Sequence, residues 1–359
     1  MNMDQFIPSF RDLTQWNKKM YSSTGGTRAK TIYIHPTDFT EYFFKGSKKM
    51  EDGSFKYTTE FWSEIVASKL GQLLGFNVLD YNIGFDFYDE QQIGCLSKSM
   101  IDYSENRLSE GIAYLSGYDP QYNPITDESR YTFNFIQEAL AHFRLSNHKE
   151  KFVQMLIFDS IIGNSDRHQE NWGFITKFKE TIEEIENAIQ NKNFVEKLFF
   201  HLKKRLTQSL IKDRDLTDNT DVLRTTSMLV LTEFSPIYDS GCCLGRELLD
   251  QRIDLYLSDK PDINSYILKG KSEVRWENGG KPNHFELLEN LYVVYPEVFQ
   301  KVKATILNKY TFEKLEILIH NIDNNLPLEY QKYKLSEKRK KLMLKLVSLR
   351  IEKLISIIS

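Results

Sequence analysis

An aspartate and an asparagine five positions apart are the residues of this sequence that most directly suggest chemistry. Asp166 and Asn171 lie in the polar stretch Asn164–Asn171. At this spacing in phosphoryl-transfer enzymes, the carboxylate accepts the proton of an attacking hydroxyl and the amide oxygen binds magnesium. Apolar segments precede and follow the stretch, and burying so many polar groups is unfavourable unless each finds a partner. The stretch is therefore a functional candidate.

Context must select among several copies of the same spacing. They are Asp12/Asn17, Asp159/Asn164, Asp166/Asn171 and Asp259/Asn264. The first copy lies in the lead-in of the chain and the last in a proline-containing polar loop. Asp159 falls inside a predicted helix, whereas Asp166 follows the helix stop signal at Gly163. Because Asn171 directly precedes a predicted strand, context favours the Asp166 copy.

A second carboxylate of interest lies downstream, in the turn Tyr238-Asp239-Ser240-Gly241. An apolar segment over residues 228–238, predicted to be a strand, leads into it. A bare Asp-Ser-Gly is usually a surface turn. After a strand and an Asp-x-x-x-x-Asn loop, Asp239 is placed to hold a metal ion over ATP phosphates.

The first hundred residues offer a possible lysine–glutamate pair. Lys45 ends an aromatic strand, and it would be a solvated edge residue unless a helix supplied a carboxylate. Residues 58–75 have helical spacing of apolar side chains, a threonine N-cap and a glycine stop. Glu64 lies among the apolar positions. Glu60, in the first turn, is predicted to be solvated.

A glycine-containing segment, Ser23 to Lys30 (STGGTRAK), precedes the first clear strand. Free backbone amides in such a turn can bind phosphate. An ordinary hairpin turn is the alternative, since short glycine motifs have low specificity.

Composition excludes several classes of protein. The 359-residue chain has a net charge of -3, which argues against general electrostatic binding of nucleic acid. Its three cysteines, Cys95, Cys242 and Cys243, form no CxxC pair, which favours a reducing compartment and disfavours a zinc site. No apolar run approaches the roughly 18 residues of a membrane span, and the start lacks a signal-peptide pattern. We expect a cytoplasmic protein without membrane contact.

The pattern of elements predicts an α+β fold with two lobes. Residues 1–103 read as a small antiparallel sheet with one helix, ending in a hinge near 97–103, and residues 104–359 as a larger, mostly helical lobe. Residues 177–224 are a polar insertion with helical stretches. The strands on either side of it are expected to be neighbours. The basic amphipathic C-terminal helix is expected to pack on the large lobe.

Taken together, these segments resemble the HipA family of serine/threonine-protein kinases, the toxins of bacterial toxin–antitoxin pairs. The resemblance spans about residues 20–300. The matching segments are STGGTRAK (23–30), YFFK (42–45), EIVASKLGQLLG (64–75), IIGNSDRHQENWGF (161–174) and YDSG (238–241). The resemblance implies a bilobal protein-kinase-like fold, ATP and Mg²⁺ as cofactors, and a protein substrate, for instance one related to translation. It also implies a possible antitoxin partner, with no direct contact to nucleic acid.

The resemblance also implies roles for individual residues. Asp166 would be the catalytic base, and Asn171 and Asp239 would be the magnesium ligands. Lys45, paired with Glu64, would hold the α- and β-phosphates. The remaining cofactor-binding residues would be Gly25, Gly26, Thr27, Arg28, Lys30, Ser97, Lys98, Ser99, Met100 and His168. Ser23, or Ser22 beside it, would be autophosphorylated.

Two other functions share part of this pattern. Small-molecule phosphotransferases of the aminoglycoside- and choline-kinase type have the same two motifs, but they usually carry a histidine directly before the base, where this chain has Ser165. A non-catalytic ATP-binding protein on a kinase scaffold is the other alternative. His168 could act as a second base, although a hydrogen-bonded structural imidazole is favoured. Arg167 could pair with Asp239 or with the phosphorylated loop, and His284 is expected to be structural.

Overall fold

A six-stranded sheet is the largest element of the described part of the first hundred residues. The structure is a computed structural model that describes residues 2–19, 30–47, 50, 60–87, 92–189, 194–211, 219–258, 260–277 and 279–358. The strands are β1 (Phe10–Asp12), β2 (Asn17–Lys18), β3 (Thr31–Ile34), β4 (Glu41–Lys45), β5 (Tyr81–Asp86) and β6 (Gln92–Lys98). Their order in the sheet is β1-β5-β6-β4-β3-β2. All neighbouring strands are antiparallel except β1 and β5, which are parallel.

The helix α1 (Glu60–Leu74) packs against the sheet strands β5 and β6 on one side and against C-terminal helices on the other. Nearly all of its side chains are therefore buried, polar ones included. The predicted solvation of Glu60 is wrong for this reason: its side chain is 2% exposed and forms an ion pair with Arg246. A first-turn carboxylate needs such a partner once its helix is covered on both faces.

A three-stranded antiparallel sheet, twelve α-helices and three short 3-10 helices lie in the described part of the chain beyond residue 105. The strands, in the order β7-β8-β9, are β7 (Asn106–Glu110), β8 (Gly173–Lys177) and β9 (Thr232–Phe234). The helices are α2 (Gly111–Tyr118), α3 (Phe133–His142), α4 (Lys149–Ile162), α5 (Phe178–Ile189), α6 (Phe194–Leu210), α7 (Thr220–Leu229), α8 (Asp250–Ser258), α9 (Lys260–Lys269), α10 (His284–Val294), α11 (Pro296–Lys309), α12 (Phe312–Asn321) and α13 (Glu337–Ile357). The central helix α4 contacts α10, α11 and α13, and its C-terminal ten residues from Val153 to Ile162 are almost entirely buried.

The predicted α+β fold is confirmed, with a sheet-rich N-terminal part and a helical C-terminal part. One predicted strand is mostly wrong. Residues 228 and 229 end helix α7, and the strand β9 covers only Thr232–Phe234. The cap explains the difference, because the Asn219 side chain accepts hydrogen bonds from the amides of Asp221 and Val222 and starts a helix that runs on into the apolar residues.

The helices α5, α6 and α7 all lie between β8 and β9 in the sequence. The two strands nevertheless pair, with Phe174 opposite Phe234, as expected for an inserted segment. The C-terminal helix α13 packs against α4 and α8, in line with the expected packing on the large helical part. None of the described helices combines the length and apolar character needed to cross a membrane.

Candidate active site

The polar loop that carries Asp166 begins where α4 ends. Gly163 has a left-handed backbone (φ 69°), which a glycine adopts without strain, and it turns the chain out of the helix. Asn171 then donates from Nδ2 to the backbone oxygen of Asp166, at 2.7 Å. Since this bond uses the amide nitrogen, Asn171 Oδ1 is the atom left to bind a cation. No hydrogen bond to Oδ1 occurs within the described residues.

Hydrogen bonds of the Arg167 side chain connect the loop to α4 and to the turn of Asp239. Its guanidinium, 1% exposed, donates two hydrogen bonds of 2.9 Å to the Asp159 carboxylate. It also donates to the backbone oxygens of Asn171 (2.7 Å) and Tyr238 (2.6 Å) and to Ser240 Oγ (3.0 Å). Burial lowers the pKa of Arg167, but the surrounding acidic groups, Asp159 first among them, together raise it above its ordinary value, so the group stays charged. The ion-pair partner of Arg167 is thus Asp159, which agrees with the favoured structural role, and the Asp239 carboxylate adds a smaller favourable charge interaction.

A lysine, a glutamate and an aspartate meet between the sheet and the helical part. Lys45, at the end of β4 and 6% exposed, forms an ion pair with Asp239 and lies 3.6 Å (Nζ–Oε2) from Glu64 of α1. The other oxygen of Glu64 accepts a 2.7 Å hydrogen bond from the Ser240 amide. Lys30 Nζ lies 3.4 Å from Asp239 Oδ2. Four residues far apart in the sequence therefore form one charged cluster, largely shielded from water.

Asp239 has an unusual backbone. Its φ of 53° lies in the left-handed region, which non-glycine residues seldom adopt, although aspartate tolerates it better than most. The adjacent bonds, Arg167 to the Tyr238 oxygen and the Ser240 amide to Glu64, hold the turn on both sides of Asp239. The turn that carries this carboxylate is thus fixed to both the loop and α1.

A second acidic group faces the same region. Glu110 ends β7, where it pairs with Gly173 of β8, and is the N-cap residue of α2. Burial, followed by repulsion from Glu170, raises the pKa of Glu110 to about 7, and Asp239 adds to the shift while Lys30 opposes it. Glu110 therefore stays protonated up to near neutral pH, beside the carboxylates of Glu170 and Asp239.

The donor set fits a magnesium ion that is completed by phosphate oxygens. The described residues contain no group of three or more His, Cys, Asp or Glu side chains that could bind a metal. Magnesium is usually bound by one or two carboxylates together with substrate phosphates and water, not by a protein cage. Asp239 and the Oδ1 atom of Asn171 have the chemistry of such a partial site.

The other predicted site residues divide into three groups. Ser97 and Lys98 end β6, and Ser99 and Met100 follow it, with the Ser99 amide bonded to the Glu41 oxygen at 2.8 Å. His168 is half-buried and its Nδ1 accepts a 3.3 Å hydrogen bond from the Glu170 amide, in line with a structural role. The remaining predictions lie outside the described residues: Ser22, Ser23, Gly25, Gly26, Thr27 and Arg28.

Sequence patterns missed one direct neighbour of Asp166. The Sγ atom of Cys242 lies 3.0 Å from Asp166 Oδ2. A cysteine after an Asp-Ser-Gly turn has no pattern of its own, so nothing in the sequence could have indicated this contact. Arg246, the partner of Glu60, was missed in the same way.

Comparisons with known proteins give a fold but no family. No protein-family model matches the chain, and no curated protein sequence matches it significantly. Fourteen chains of solved structures match. One is described as the Helicobacter pylori proinflammatory kinase CtkA, with a TM-score of 0.66 and 18% identity over 98% of this chain and 96% of that one. The fold is kinase-like. At this identity the likeness concerns the architecture, which it covers almost from end to end.

Proposed function

We propose that the protein is an ATP-dependent serine/threonine-protein kinase of the HipA type. The observation that carries the proposal is the convergence of Lys45, Glu64 and Asp239 beside the loop of Asp166 and Asn171. These residue types are the positioning and electrostatic parts that phosphoryl transfer requires. The kinase-like fold supports the proposal independently of the motifs.

The side chains of the site would have distinct roles in phosphoryl transfer. Mg-ATP, when bound, supplies the phosphoryl group and the metal charge. Asp239 and Asn171 would hold the metal, and Lys45, oriented by Glu64, would bind nucleotide phosphates. Lys30 would add a second positive charge at the same place. Asp166 would accept the proton of the attacking serine or threonine hydroxyl.

The HipA resemblance makes this proposal more specific. It favours a protein as substrate, an antitoxin as a possible partner, and self-phosphorylation at Ser23 or Ser22 as a means of switching the enzyme off. An enzyme with these cofactors and this substrate class would work in the cytoplasm. The kinase core would comprise residues 1–103 as the N-lobe and 104–359 as the C-lobe.

Incubation with Mg-ATP tests the proposal. We expect wild-type protein to bind ATP in a magnesium-dependent manner by calorimetry and to gain phosphate by intact-mass spectrometry. Asp239→Asn should abolish the phosphate gain, whereas Asp254→Asn, an exposed carboxylate paired with Lys338, should not change it.

The outcomes separate the parts of the proposal. Lack of magnesium-dependent ATP binding would refute the kinase reading. Phosphate on other residues but not on Ser22 or Ser23 would refute only the switching step. Transfer to aminoglycosides or choline, without transfer to protein, would favour the small-molecule alternative.

A further inference from the structure

Cys242 touches the residue that the proposed function makes the catalytic base. Its Sγ atom lies 3.0 Å from Oδ2 of Asp166. An ionised carboxylate can only accept hydrogen bonds, so the thiol is the donor in this contact. The described residues form no hydrogen bond with the other carboxylate oxygen, Oδ1.

Backbone bonds hold the segment of Cys242 against the start of the catalytic loop. The Ser165 amide donates to the Cys242 oxygen at 3.3 Å, and the Leu244 amide donates to the Ile162 oxygen at 3.0 Å. The chain after the Asp239 turn thus runs beside the end of α4 and the start of the catalytic loop. This backbone pairing brings Cys242 beside Asp166, so that its thiol reaches the carboxylate.

The other two cysteines are in different surroundings. Cys95 and Cys243 are buried, and their Sγ atoms contact backbone oxygens, those of Lys45 at 3.4 Å and Ser63 at 3.7 Å. Burial raises the pKa of the Cys243 thiol well above its ordinary value. Cys242 is half-buried, and its Sγ atom contacts a carboxylate oxygen.

We propose that Cys242 is a positioning residue for phosphoryl transfer: its S–H holds Oδ2 of Asp166 and leaves Oδ1 to accept the proton of the substrate hydroxyl. This inference rests on the proposed kinase function. A carboxylate held by one oxygen cannot rotate away from the attacking group, so the reactive geometry exists before substrate binds. Hydrogen bonds to charged groups are stronger than neutral ones, so even a weak thiol donor has a measurable effect here.

Three variants test the inference through kinetics of phosphate transfer. Cys242→Ala should lower kcat by about tenfold, the rate effect of a lost interaction of ordinary hydrogen-bond strength. KM for ATP should stay within about twofold, since the metal and phosphate ligands are untouched. Cys242→Ser should recover most of kcat, because a hydroxyl donates to the same oxygen. Cys243→Ala is the matched control and should keep wild-type kcat per folded molecule.

The results distinguish this inference from the proposed function. An active wild type with equal kcat in Cys242→Ala would overturn the positioning role and leave the kinase function intact. Equal losses in the Ala and Ser variants would overturn it too, since they would show that volume matters and not the donor. If Cys242→Ala does not fold, Cys242→Val fills the same space without a donor and takes its place. A wild type without transfer activity would refute both.

Discussion

Replacement of Arg167 by methionine should be among the most damaging single changes in this chain. The side chain is 1% exposed and makes five hydrogen bonds to four acceptors: the Asp159 carboxylate, the backbone oxygens of Asn171 and Tyr238, and Ser240 Oγ. Breaking a buried ion pair costs about 3–5 kcal/mol, because a charge stays buried without a partner. The two backbone oxygens add roughly 1–3 kcal/mol each.

The expected loss is therefore about 5 kcal/mol or more, against a total free energy of unfolding of about 5–15 kcal/mol for a typical domain. Removing Asp159 as well, in Arg167→Met with Asp159→Leu, should restore roughly 2–4 kcal/mol, since buried pairs are often replaceable by apolar residues. Recovery should be incomplete, because the oxygens of Asn171 and Tyr238 still lack their donor.

Urea unfolding at pH 7, followed by tryptophan fluorescence and circular dichroism, measures these differences. Trp172, buried directly after the loop, is a suitable local reporter. Arg252→Met, at an exposed position of α8, is the matched control and should change stability by no more than about 0.5 kcal/mol. A loss below about 1 kcal/mol for Arg167→Met, or a double variant less stable than the single one, would show that the network contributes little.

Two further predictions concern the charges of the site. Lys45→Met should lower kcat/KM for ATP by about 10²–10³, the usual loss when one preorganised charge is removed, and steady-state phosphate transfer within threefold of wild type would contradict this. Burial, and then repulsion from Glu170, raises the pKa of Glu110 from 4.5 to about 7. The stability that depends on protonated Glu110 is therefore fully present below about pH 4.5 and is lost as the pH rises through 7. Glu110→Gln should therefore increase stability, and by roughly 1–2 kcal/mol more at pH 8 than at pH 5.5 in urea titrations. An equal gain in stability of Glu110→Gln over wild type at pH 5.5 and at pH 8 would argue against the raised pKa of Glu110.

Local patterns predicted the elements of the site well, because each element has a strong signal of its own. The apolar helix before Gly163 has a stop signal that the structure uses, with φ 69°. The strand of Lys45 and the helix of Glu64 also follow from periodicity, and the helix ends at the predicted glycine, Gly75, with φ 88°. The meeting of Lys45 with Glu64 and Asp239 is a tertiary contact, and only the order of motifs along the chain could suggest it.

Other features depend on packing that no local pattern records. Glu60 is buried because α1 is covered on both sides, although its position in the first turn favours solvent. The short strands β1 and β2 are held by their neighbours in the sheet and are too short to show periodicity. The contact of Cys242 with Asp166 arises from two segments that pair only in the folded chain.

The placement of α5, α6 and α7 has a consequence for how such a chain can vary. Their segment leaves and re-enters the sheet at adjoining points, since the Lys177 amide bonds to the Leu231 oxygen at 2.8 Å. Phe178 and Val230, which flank the segment, pack together in a small apolar cluster. The stretch between α5 and α7 can thus change in length without rerouting the backbone of the catalytic loop, because the closure entropy changes only slowly with length, whereas Leu223 of α7 belongs to the main core and has to stay. The segment is therefore a position at which a new binding surface can be added while the catalytic residues stay where they are.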